Sequence, residues 1–99
     1  MNGKLLKGTF TELDLVERHL LMLKATKENQ PVGIIRLSEI TGIPCHKVRY
    51  SLRLLENDGL IQATQDGAIV TGRYEEYLKE LETALREAVQ RAEGIREKL

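Results

Sequence analysis

Gly42 and Pro44 stand two positions apart near the middle of the chain, between two segments with helical apolar spacing. Only glycine adopts a left-handed backbone without steric cost, so Gly42 is expected to end the first segment's helix. Proline at the first position of a helix has its φ preset and gives up no hydrogen bond there. The next helix is therefore expected to run from Pro44 to Asn57 and to stop at Gly59. Ser38 is expected to cap the short helix before the turn, through Glu39, Ile40 and Thr41. Two helices held at a fixed, tight turn admit few arrangements of their apolar faces.

The flanking segments narrow the choice. Leu60–Thr64 and Ala68–Thr71 are apolar-rich and enclose Asp66–Gly67, a strong hairpin signal because both positions of a type I′ turn need positive φ. Ile34 and Ile35 are β-branched, so Gly33–Arg36 is expected as a short strand. Residues 1–10 read as a lead-in arm loosened by Gly3 and Gly8. A first helix is expected to open at Thr11, with Asp14 completing a capping box, and to end before Pro31. Its apolar residues at Leu13, Val16, Leu20 and Leu23, beside Leu15, Leu21 and Met22, form a wide stripe, so much of this helix is expected to be buried.

Two helices around a glycine turn, followed by a hairpin, are the parts of a winged helix-turn-helix. The unbroken stretch LSEITGIPCHKVRYSLRLLENDGLI, Leu37–Ile61, resembles the winged-helix transcription regulators, including the MarR-like and related archaeal and bacterial families. Leu37, Gly42, Ile43, Val48, Leu52, Leu55, Gly59, Leu60 and Ile61 fall where that pattern places apolar or glycine residues. The expected fold is mainly α with a small β-hairpin. A winged helix-turn-helix domain would occupy residues 1–73, with the helix-turn-helix at 38–57 and the wing at 60–71, and a long helix would occupy 74–99.

Spacing divides the helix after the turn into two faces. Val48, Ser51, Leu52 and Leu55 recur at i, i+3, i+4 and i+7, and Ser51 is small enough for close helix packing. His46, Lys47, Arg49, Tyr50 and Arg53 lie opposite. Between Gly42 and Leu55 there are three basic residues and no acid. Lysine and arginine neutralise phosphates, and arginine can also hold guanine bidentately. The resemblance implies a recognition helix in the major groove of double-stranded DNA. Pro44, Cys45, His46 and Lys47 would come nearest the bases; Arg49, Arg53 and Arg36 would meet phosphate, and Tyr50 a phosphate or a thymine methyl. The expected hairpin tip carries Gln65, Asp66 and Gly67 without a base, so the wing offers at most Gln65 or a backbone contact.

The last segment supplies a second constraint. Tyr74, Leu78, Leu81, Leu85, Ala88, Ala92, Ile95 and Leu99 recur in steps of four and three, a heptad pattern. A helix of this length spans about 39 Å, more than a small winged domain is wide. These residues are expected to form a coiled-coil seam between two copies, with the first turns packed on their own chain as an alternative. Ala88 and Ala92 permit close approach. A parallel pair would set Arg91 against Arg96 of the other copy, which an antiparallel pair avoids; the sequence leaves both orientations open.

Composition excludes other classes. Fifteen basic and fifteen acidic residues leave no net charge, so the chain is no polybasic binder. A single cysteine admits no internal disulfide and suits a reducing cytosol. No apolar run reaches the roughly 20 residues of a membrane span, and the first ten residues are too polar for a signal peptide. A cytoplasmic location is expected. Cys45, His46 and His19 fall short of a structural zinc set, and adjacent helical residues do not face each other, so Cys45 and His46 form no nucleophile pair. Cys45 reads as a small filler at the turn, although its place near a helix N-terminus also suits a redox-sensing thiol. No enzyme, metal or cofactor is expected, and any small-molecule effector is unidentified. The expected function is a homodimeric, sequence-specific DNA-binding regulator of transcription. The alternative is a winged-helix module that binds protein rather than DNA.

Overall fold

The computed structural model describes residues 4–99. The order is α1 (Lys4–Asn29), α2 (Ile34–Thr41), α3 (Cys45–Asn57), β1 (Ile61–Thr64), β2 (Gly67–Val70) and α4 (Tyr74–Arg96). This is a mainly helical, winged-helix-like fold with one antiparallel hairpin and a long last helix.

Aromatic residues make up only 4% of the chain and Trp is absent, and the core is accordingly almost wholly aliphatic. Met22 and Leu23 of α1 meet Leu37 of α2, Val48 and Leu55 of α3, and Leu60, Ile61 and Ala68 around the hairpin. Each Leu, Ile, Val or Met side chain among them contributes about 1.5–3 kcal/mol on full burial. Tyr74 closes the core from the start of α4, with the Lys27 ammonium 5.3 Å from its ring centroid.

Four local readings are corrected. The first helix opens at Lys4, not Thr11, so the expected arm is helical over its described part; residues 1–3 of that arm lie outside the described residues. Thr11 is no cap: its hydroxyl donates back to the Lys7 carbonyl at 3.0 Å. The expected strand at Gly33–Arg36 is the first turn of α2, capped by Gly33. Ser38 therefore lies inside that helix rather than at its start. Strand character survives only at Val32, which exchanges two backbone hydrogen bonds with Ala68.

The hairpin also turns differently. Thr64 pairs with Gly67, so Gln65 and Asp66 form the two-residue turn, and among the described residues no non-glycine has positive φ. That excludes type I′. Gly67 has φ +131, and a Cβ there would sit 2.7 Å from the Val32 backbone nitrogen. Glycine is required because the Val32 strand segment crosses so closely. The Gln30 side-chain oxygen accepts from Val70 N at 2.8 Å, a second tie between hairpin and loop.

Candidate nucleic-acid interface

The α2–α3 turn is locked from both sides. Gly42 takes φ +75 and its N–H donates to the Ser38 carbonyl at 2.8 Å. The Ser38 hydroxyl donates to Ile43 O at 2.6 Å, and the Thr41 hydroxyl to Leu37 O at 2.7 Å. Pro44 caps α3 from just outside it, one position earlier than expected, and its carbonyl accepts from Lys47 N and Val48 N.

This turn fixes which side of α3 faces outward. Val48, Ser51 and Leu55 are buried and Leu52 is half-buried. His46, Arg49, Tyr50 and Arg53 are exposed along one stripe, with Lys47 exposed at its edge. Among the described residues, Lys47, Arg49 and Arg53 form no ion pair. Arg36 is exposed on α2 and lies 4.0 Å from Glu39. Arg36, Cys45 and Arg49 line one hollow between α2 and α3. Arg49 and Arg53 also line the hollow between α3 and the hairpin, where Glu56 joins them. Gln65 is exposed at the hairpin tip beside Asp66.

Two features were not read from the sequence. Asp14 and Glu17 of α1 stand around the same hollow as Lys47, so the acid-free stretch of α3 has acidic neighbours in space. Arg18 of α1 joins the basic stripe: its guanidinium lies 5.8 Å from the Tyr50 ring centroid and its Nε donates to the Ser51 hydroxyl at 3.2 Å. Ser51 Oγ is also 2.9 Å from His19 Nδ1. Arginine can only donate, so the hydroxyl accepts from Arg18, and it shares a second hydrogen bond with His19 whose direction follows the ring's tautomer. His19 is the neutral imidazole above its lowered pKa. Burial pulls the His19 pKa below its ordinary value, Arg18 adds to that, and Asp58 partly opposes it. Ser51 is thus a buried junction between α1 and α3, more than a small residue at a close contact.

The chain shares the fold of the activation domain of the phage T4 transcription factor MotA. The two superpose with a TM-score of 0.59 at 17% identity, over 77% of this chain and 81% of that one. The likeness is one of fold. It is to a phage transcription factor and does not point to the MarR-like regulators in particular. No protein-family model and no curated protein matches the sequence.

The expected seam residues fall into two groups. Tyr74 is buried in its own chain's core, and Leu78 and Leu81 are half-buried. Leu85, Ala88, Ala92 and Ile95 are exposed, and Leu99 lies beyond the end of α4 at Arg96. Val89 and Tyr77, outside the heptad pattern, belong with them: Tyr77 packs against the core and Val89 faces outward. Among the described residues, no three His, Cys, Asp or Glu side chains gather as a metal site, and no helix is long and apolar enough to cross a membrane.

Proposed function

We propose that the protein is a DNA-binding regulator of transcription that acts as a homodimer and presents α3 to the major groove. The observation that carries this reading is the outward stripe of α3. His46, Arg49, Tyr50 and Arg53 are exposed on a helix whose opposite side is fully engaged in the core, and its bases have no acidic partner among the described residues. An unpaired basic stripe on a helix held by a tight turn suits phosphate and base contact. The fold likeness to a transcription-factor domain agrees with it. Pro44, Cys45, His46 and Lys47 are assigned to the groove, with Arg36, Arg49, Arg53 and Arg18 beside the phosphates. At the hairpin tip Gln65 is the side chain assigned to the DNA.

Anisotropy titration with random duplex DNA tests the reading. If Arg18, Arg36, Arg49 and Arg53 of two copies each neutralise one phosphate, the log–log salt slope is about −7. Lys47→Ala/Arg49→Ala/Arg53→Ala should abolish salt-sensitive binding. A slope near zero, or unchanged binding by the triple variant, refutes it. The second reading, a protein-binding module, is favoured by Asp14, Glu17 and Glu56 around the stripe and by Asp66 at the tip. It predicts a protein complex that survives charge reversal at Arg49 and Arg53.

A further inference from the structure

The chain exposes more surface than its mass requires. Its accessible surface is 7419 Å² for 11.2 kDa, whereas a compact monomer of this mass exposes about 5,700 Å². Its radius of gyration is 15.7 Å, against about 12.6 Å for a compact chain of this length. The excess of roughly 1,700 Å² comfortably exceeds the 800 Å² or so that one partner contributes to a standard interface.

Part of this surface is apolar and lies along two helices. On α1, Leu6, Phe10 and Leu13 are 46% to 53% exposed, at spacings that continue to Leu20. On α4, Leu85, Val89 and Ile95 are 40% to 64% exposed. Between the helices runs a groove of about 730 Å³, with Leu20 and Lys24 on one wall and Leu78, Leu81, Leu85 and Val89 on the other. The α1 stripe extends the first wall beyond Leu20.

We infer that a second copy of this chain fills the groove with its own α4, laid antiparallel, so that each copy holds the other's last helix between α1 and α4. This rests on the homodimer reading and deepens it, because α1 becomes half of the interface. Charge along α4 selects the orientation. Residues 74–85 carry four acids and one base, and residues 86–99 three acids and four bases. An antiparallel crossing at Ala88 and Ala92 overlaps residues 81–99 of the two copies and brings Glu82 to the partner's basic end, at Arg96 and Lys98. Leu85 then meets the partner's Ile95, and Glu82 meets the partner's Arg96. A parallel pair instead sets Arg91 against the partner's Arg96.

Sedimentation equilibrium of the full chain tests this, with Val89→Asp, Phe10→Asp and Leu13→Ala, each checked by circular dichroism for retained helix. The expected result is a dimer whose dissociation constant rises at least about tenfold in each α1 variant, as for interface anchors. Leu13→Ala keeps the test decisive if Phe10→Asp fails to fold. In a Cys45→Ser background, a mixture of Ala88→Cys and Ala92→Cys chains should cross-link between the two. If Val89→Asp dissociates the dimer and the α1 variants do not, the inference falls and the homodimer reading stands. Self-cross-linking of each cysteine variant alone, the parallel result, also overturns it. A wild-type monomer at roughly 100 µM, where standard interfaces associate, overturns both the inference and the homodimer; DNA binding is then judged by the anisotropy titration.

Discussion

Replacing Gly67 by alanine should be among the most damaging single-methyl changes in the protein. The new Cβ would stand 2.7, 2.8 and 2.9 Å from the Val32 nitrogen, carbonyl carbon and oxygen, all backbone atoms that no rotamer change can move. The φ of +131 adds strain of its own, about 1–3 kcal/mol for a non-glycine residue in a sparsely populated region. Relieving the overlap pulls Val32 from Ala68 and breaks hydrogen bonds of 3.1 and 2.8 Å, each worth about 1 kcal/mol net. Alanine restricts the unfolded chain and returns about 0.4–1 kcal/mol. The expected loss is about 2–4 kcal/mol, a large share of the 5–15 kcal/mol that holds a domain folded. In a domain of this size each kcal/mol lowers Tm by about 4–8 °C. Urea and thermal melts followed by circular dichroism measure it, with Gly72→Ala as control, where nothing lies within 4 Å of the added Cβ. A loss for Gly67→Ala no larger than the control's would refute the account of the Val32 crossing.

The α1–α3 junction makes stability depend on pH. The folded pKa of His19 lies below its ordinary 6.5, so the unfolded chain takes up the proton first. The stabilisation is complete above that value and is lost as pH falls from 6.5 towards the folded pKa. Urea midpoints should decline over that window, and His19→Gln should flatten the decline; an unchanged slope counts against the neutral assignment. On the DNA-binding reading, Asp66→Lys should strengthen binding and steepen the salt slope by about 0.9 per copy, because the exposed tip needs no positive φ at this residue. Identical titrations for the two proteins would place the hairpin tip away from DNA.

The parts of the fold set by local chemistry were legible in the sequence, and those set by distant neighbours were not. Gly42 and Pro44 marked the turn because each restricts its own backbone. The buried side of α3 followed from spacing alone. Ile34 and Ile35 misled because β-branching is a weak preference: the spacing of Ile34, Leu37 and Thr41 suits a helix that buries Leu37. The start of α1 was lost to Gly3, Gly8 and Thr11, although Leu6, Phe10 and Leu13 already carried the helical period. In the candidate site, the stripe of α3 was readable, whereas Arg18 and His19 reach it from 33 and 32 residues away through Ser51. No spacing rule encodes that meeting.

The distribution of charge joins the two proposals. Residues 44–55 hold Lys47, Arg49 and Arg53 without an acid, while Gln65 and Asp66 give the hairpin tip no base. On the DNA-binding reading, one copy therefore engages phosphate through Arg49 and Arg53 of α3, with Arg36 of α2 and Arg18 of α1 beside them, and not through the wing. The four arginines at the phosphates, Arg18, Arg36, Arg49 and Arg53, support a salt slope of only about −4, and a second copy doubles it. Binding must then be linked to dimerisation: whatever separates the copies weakens DNA binding by mass action without touching a DNA-facing residue. The apolar stripes of α1 and α4 would thereby control occupancy of a site they never contact, which accounts for so much exposed apolar surface on a chain with no net charge.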